Sequence, residues 1–197
     1  MTPPIFMLRL FLTSLLLATP VAAQAASGGD AVTITSPQPL PATHNRARLF
    51  LGGSIDMGRA TDWQSDMIAA LADQRVLLLN PRRPDWNPAW KPEASDPNFR
   101  GQVEWELAAL DSADIIILYF APGSQSPVSL LEMGLHARSG KLVIFCPDGY
   151  WRKGNVDITA QRYGAKMVTS FEELHAEVRT RIADANRRLA PHGGMAR

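Results

Sequence analysis

The sequence predicts an α/β fold: a three-layer, doubly wound sandwich on a five-stranded, mainly parallel sheet of order 2-1-3-4-5, flavodoxin-like. Three observations carry this. Short runs that are apolar at every position recur along the chain, as strands covered on both faces require. Stretches of helical period separate them. Right-handed crossovers then leave few topologies. The 197 residues suit one domain with a short appendage, and the 46% hydrophobic and 20% charged composition is that of a globular chain.

The first strand is ARLFLGG, residues 47–53, an apolar run closed by glycines. Residues 61–73 space Trp63, Met67, Ala70 and Leu71 as a helix, with Thr61 and Gln64 as a capping box. RVLLLN, 75–80, is the second strand. A loop over 80–101 holds five prolines and two tryptophans. Residues 102–114 form a helix with Val103, Leu107 and Leu110 on one face. DIIILYF, 114–120, is the third strand; 128–140 is a helix closed by Gly140; KLVIFC, 141–146, is the fourth strand. Residues 165–170 make a short edge strand. The last helix covers roughly 171–189, opened by Ser170 and Glu173.

The termini read differently. Residues 1–25 have the pattern of a secretory signal peptide: an apolar run from Leu10 to Ala18, then Ala23-Gln24-Ala25 with small residues where a signal peptidase needs them. The alternative is an uncleaved anchor. An exported protein, periplasmic or secreted, follows from the first reading. Residues 26–45, rich in Ser, Thr, Pro and Gly, read as a flexible linker; 46–190 is the domain, and 191–197 a frayed tail.

Composition excludes several classes. Twenty Lys and Arg against nineteen Asp and Glu give a net charge of +1, which argues against a protein gripping nucleic acid through phosphates. One cysteine, Cys146, rules out an intramolecular disulfide or a multi-cysteine zinc site, and the four histidines lack ligand spacing. No metal, cofactor, nucleic-acid polymer or lasting membrane association is expected. There is no G-x-G-x-x-G and no P-loop lysine.

In a 2-1-3-4-5 sheet, ligands enter where the winding reverses, beyond the carboxyl ends of the first and third strands. Gly52, Gly53, Ser54 and Asp56 lie after the first; residues 121–129, including Ser129, come after the third. The glycines suit a phosphate or ribose cradle. Glu132 has two readings. It is either the partner of Ser129 in a capping box, or a crevice carboxylate held ionised by the helix N-terminus and aimed at a sugar carbon. Glu104 and Glu106 point roughly 200° apart on their helix, so only one faces the crevice. Trp86, Trp90 or Phe99 either stack on a nucleobase or pin their loop to the surface. Arg82 and Arg83 either meet a phosphate or stay exposed.

At these residues the chain resembles the nucleoside 2-deoxyribosyltransferase-like family. The cues are Leu49-Phe50-Leu51-Gly52-Gly53-Ser54, Asn80-Pro81-Arg82-Arg83, Val103-Glu104-Trp105-Glu106-Leu107, Ala113-Asp114 before an apolar strand, and Ser126 with Leu131-Glu132-Met133-Gly134. Their order and spacing cover roughly 47–147. The resemblance implies that Glu132 attacks C1′ of a deoxyribose, that Glu106 helps protonate the leaving base, and that Ser126 touches the sugar or its phosphate. It implies a small-molecule nucleoside or nucleotide as substrate, and it leaves a homo-oligomer open. The chain departs from the family pattern in lacking a tyrosine on the first strand, where Phe50 or Leu51 stands, and in carrying a glutamate at 106 in place of aspartate. The expectation is cleavage or base exchange at an N-glycosidic bond through a covalent glycosyl-enzyme. The alternatives are a nucleoside-binding module without chemistry and an NAD-cleaving glycohydrolase.

Overall fold

The computed structural model describes residues 31–43, 45–55 and 60–190. The segment read as a signal peptide, the tail 191–197 and Asp56 lie outside the described residues. The order of elements is β1 (Val32–Thr35), β2 (Ala47–Gly53), α1 (Trp63–Ala70), β3 (Val76–Asn80), α2 (Pro97–Ser112), β4 (Ile115–Tyr119), α3 (Pro127–His136), β5 (Leu142–Phe145), α4 (Lys153–Tyr163), β6 (Lys166–Val168) and α5 (Phe171–Leu189).

All pairings are parallel, in the order β1-β3-β2-β4-β5-β6. Removing β1 leaves the predicted five-strand order. Each central strand sends alternate residues to opposite layers. Leu49, Leu51, Ile115 and Ile117 pack with Trp63 and Met67 of α1 and with Leu174, Val178 and Ile182 of α5. Phe50, Leu79, Ile116 and Leu118 pack with Trp105 and Leu110 of α2, Met133 of α3 and Val156 of α4. The α2–α3–α4 layer therefore lies on one face and α1–α5 on the other, with the reversal of winding between β2 and β4.

Several expectations change. Residues 32–35 are a strand rather than a flexible linker. They pair with β3 from Val32 opposite Leu77 to Thr35 opposite Asn80. Four residues, one of them an exposed Val32, show too little alternation to stand out beside a Pro- and Ser-rich stretch. Helix α1 is capped by Asp62, whose carboxylate accepts the Ser65 N–H at 3.2 Å, and not by Thr61. Gln64 is fully buried and cannot serve a capping box. Helix α2 begins at Pro97, earlier than predicted, because the Asp96 carboxylate accepts the Asn98 and Phe99 amides. Helix α4 is an addition to the predicted elements. Val156 and Ala160 are its only buried residues, so its apolar period is faint, and the signal it does carry is left-handed Gly164 at the C-cap.

Two tethers fix the ends of the sheet. The Asn186 carboxamide on α5 accepts the Ala47 N–H at 2.8 Å and donates to the Arg75 carbonyl at 2.7 Å, bridging the starts of β2 and β3. At the other end, Gly53 pairs with Tyr119 at a φ of +141°. A Cβ there would lie 2.4 Å from the Tyr119 carbonyl oxygen and 2.7 Å from its nitrogen. Gly53→Ala is therefore expected to cost roughly 2 kcal/mol or more and to lower Tm by roughly 5 °C in calorimetry. Gly101→Ala, at a helical position whose added Cβ meets nothing, should raise stability by up to about 1 kcal/mol.

Candidate active site

The close approach of β2 and β4 decides the course of the chain after Gly53. The Ser54 N–H donates to the Tyr119 carbonyl at 2.8 Å, which turns its side chain under the loop after β4. Ser54 Oγ accepts the Ala121 N–H at 2.8 Å and lies 2.7 Å from Ser124 Oγ and 2.6 Å from Ser126 Oγ. The last two are 2.8 Å apart. Three buried hydroxyls thus close a triangle at the point where the winding reverses. Ser126 sits at φ 40°, ψ 53°, a left-handed conformation that a non-glycine residue adopts only when its surroundings compel it. The triangle supplies that constraint. Ser124 carries no signal of its own in the sequence, although its loop does.

Ser126 also occupies the N-cap of α3, with Pro127 as first helical residue. Consequently the predicted capping box of Ser129 and Glu132 does not form. Ser129 is the third helical residue, and Glu132 sits in the second turn, past the free amides of the helix end. The spacing turns Ser129, Glu132 and Met133 to the buried face. Glu132 is 7% exposed.

Helix α2 approaches from the other side. Gln102, Trp105 and Ala109 face inward, and Glu106, one turn after Gln102, is half-buried. Glu104 points to solvent, where it pairs with Arg100 at 3.1 Å, so Glu106 is the member of that pair that faces the interior. Gln102 Nε2 donates to Glu106 Oε1 at 2.8 Å.

The two inward carboxyls feel each other. Burial first, and then the charge of Glu106, push Glu132 up to about 8. Burial pushes Glu106 up to about 7, against the hydrogen bond from Gln102, which pulls it down. This corrects the expectation that the helix N-terminus holds Glu132 ionised. The macrodipole acts within the first turn, whereas Glu132 is in the second and is desolvated. Near neutral pH the pair retains a proton, an arrangement suited to joint acid and nucleophile duty.

The remaining predicted residues lie in these surroundings. The space beside Gly52 is filled by Leu118 and Phe50, and that beside Gly53 by the Tyr119 backbone, so their missing side chains admit the neighbouring strand. Trp86 and Trp90 meet edge-on at 5.1 Å, and Arg83 lies 4.8 Å from the Trp90 ring while bonding Asp85. These contacts tie the loop to itself. Arg82 is held by the Ala60 carbonyl at 3.1 Å and by Asp62. Phe99 lies in the first turn of α2. A separate cleft of about 600 Å³ opens beside β5, β6 and α4, lined by Cys146, Asp148, Lys153 and Asp157 among others. Burial pushes the Cys146 thiol up to about 11, which disfavours the thiolate there.

No curated protein matches the chain. A solved structure of a conserved protein from Enterococcus faecalis V583 is similar at a TM-score of 0.51 and 13% identity, covering 69% of this chain and 99% of that one. This likeness supports the sandwich fold alone. The family model described as nucleoside 2-deoxyribosyltransferase like matches residues 46–150. That span runs from the start of β2 past β5 and holds both inward carboxyls and the serine triangle. More than half of the sequence falls within it, and the chain belongs to the nucleoside 2-deoxyribosyltransferase-like family.

Proposed function

We propose that this protein cleaves the N-glycosidic bond of a deoxynucleoside-like substrate, with Glu132 as nucleophile and Glu106 as acid. The observation that carries the reading is the pair of carboxyls brought from α2 and α3 into one another's field, with burial holding a proton on them at neutral pH. Glycoside chemistry needs one carboxylate ionised and the other protonated. A Glu132 oxygen bonds to the anomeric carbon as the carbon–nitrogen bond breaks, and the proton on Glu106 passes to the departing base nitrogen. Water or a second base then takes the glycosyl group from Glu132, returning a proton to Glu106. Hydrolysis prevails over transfer where no acceptor base is held.

Before substrate binds, the greater burial of Glu132 favours the proton there. Attack therefore begins with its transfer to Glu106, and a base nitrogen accepting a hydrogen bond from protonated Glu106 draws it across. The serine triangle and the left-handed Ser126 set the start of α3, and hence the depth at which Glu132 emerges.

Chromatographic detection of free base from a panel of deoxynucleosides, ribonucleosides, nucleotides and NAD tests this reading. Glu132→Ala should lower base release roughly 10³-fold or more, and Glu106→Gln roughly 10²- to 10⁴-fold. Full turnover by Glu132→Ala on every active substrate would exclude the mechanism. The singly protonated pair is the working form, so kcat/KM should describe a bell with its maximum between about pH 7 and 8. A plateau from pH 5 to 9 would contradict it.

Stability carries an independent signature. Folded Glu132 holds its proton up to about pH 8, whereas the unfolded chain releases it near 4.5. The folded state binds more protons between those values, so stability falls as pH rises through them. Glu132→Gln, which keeps the shape without the charge, should raise Tm at pH 8 by roughly 2–4 °C or more and leave it nearly unchanged at pH 4.5. An equal effect at both pH values would show that burial of the charge is not responsible.

A further inference from the structure

The region matched by the family model begins at residue 46, yet a residue before it reaches the candidate acid through one side chain. Ser36 follows β1 directly and is 2% exposed; Gln102 on α2 is 4% exposed. Ser36 Oγ–H donates to Gln102 Oε1 at 2.6 Å. Gln102 Nε2 donates one proton to the Pro81 carbonyl at 3.0 Å and the other to Glu106 Oε1 at 2.8 Å. Both amide protons are used, and the amide oxygen is engaged.

We propose that Gln102 is a positioning residue for Glu106, and that strand β1, through Ser36, is a working part of the site because it anchors the oxygen of an amide whose orientation the Pro81 carbonyl fixes.

A carboxamide presents oxygen on one side and nitrogen on the other. Turned over, Gln102 would set its oxygen against the Pro81 carbonyl and the Glu106 carboxylate, both acceptors, and its nitrogen against Ser36. The Pro81 carbonyl, which can only accept, selects the orientation that aims an N–H at Glu106, and the Ser36 hydroxyl, able to donate or accept, holds the amide oxygen in that orientation. That N–H occupies Oε1 and leaves Oε2 for the mobile proton. A donor of this kind favours the ionised carboxylate, opposing burial, and so keeps Glu106 able to take the proton and give it back. From α3, the ionisable group acting on this pair is Glu132. From β1 and the loop after β3 come the Ser36 hydroxyl and the Pro81 carbonyl, neither charged.

The segment after β1 is also tied down by the helix that carries the acid. Trp105 Nε1–H donates to the Gln38 carbonyl at 2.7 Å, and the Arg48 guanidinium donates to the Pro41 carbonyl. The Ser36 N–H donates to the Asn80 carbonyl at 3.1 Å, continuing the β1–β3 ladder. The hydroxyl is therefore delivered at a defined height beside α2.

Because the relay rests on the reading of Glu106 as the acid, its test has a readout apart from turnover. The full chain, labelled with ¹³C at glutamate side-chain carboxyls, is titrated by NMR, with Glu106 identified by loss of its signal in Glu106→Gln. Gln102→Met, similar in length but without the donor, should move the Glu106 midpoint up by about 1 pH unit. Ser36→Ala should move it the same way by less, and Ser36→Thr should restore it. The pH optimum of base release should shift alkaline in step, with kcat changing more than KM. Unchanged Glu106 titration in a folded Gln102→Met variant overturns the proposal. Should that variant not fold, an unchanged midpoint in Ser36→Ala does so. Failure of the wild type to release base from any substrate sinks the catalytic reading but leaves the titration to decide the relay.

Discussion

Strand β2 is bonded on both sides, to β3 and to β4, and its last residue meets β4 with no space for a side chain. That contact sets the register of the two strands between which the winding reverses. It also fixes where the chain can leave the sheet. Ser54 comes next and can only turn toward the loop after β4, where it meets Ser124 and Ser126. The left-handed Ser126 then starts α3, and the start of α3 decides that Glu132 is carried into the second turn on the inner face. A steric limit between two backbones is thus translated, through three hydroxyls, into the position of a carboxyl.

Burying that carboxyl beside a second one runs against stability. Desolvation alone disfavours ionised Glu132, and the neighbouring Glu106 adds repulsion. A core built only for stability would carry an uncharged pair here. The large apolar layers on both sides of the sheet offset the strain, and the cost is confined to two side chains. Gln102 moderates it by giving the Glu106 carboxylate a donor.

Much of this is legible in the sequence. The apolar runs over 47–53, 75–80, 114–120 and 141–146 are read correctly because strands covered on both faces carry few polar positions, Arg48 and Asn80 among them, to confuse the pattern. Ser170 and the apolar period of the last helix place α5 well, and Glu173 does reach back, to Thr169. The inward choice between Glu104 and Glu106 comes from the resemblance and not from spacing, which says only that they diverge. The hidden features depend on distant partners. Residues 32–35 become a strand only because β3 offers a free edge. The shift of Glu132 from first to second turn comes from Pro127, a start signal that competes with the plausible pair Ser129 and Glu132. The coupling of Glu106 to Glu132 joins residues on separate helices, which no local pattern encodes.

The bridge made by Asn186 joins one of the last residues of the final helix to the first residue of the central strand. Part of the cover over β2 also comes from α5, through Leu174, Val178 and Ile182. A nascent chain still lacking that helix has its middle strand covered on that side by α1 alone. The order of synthesis is therefore opposed to the order of packing, since the earliest central segment waits for the latest helix before its core can close. Acquisition of the native state is thereby deferred until residues 171–189 have been synthesised.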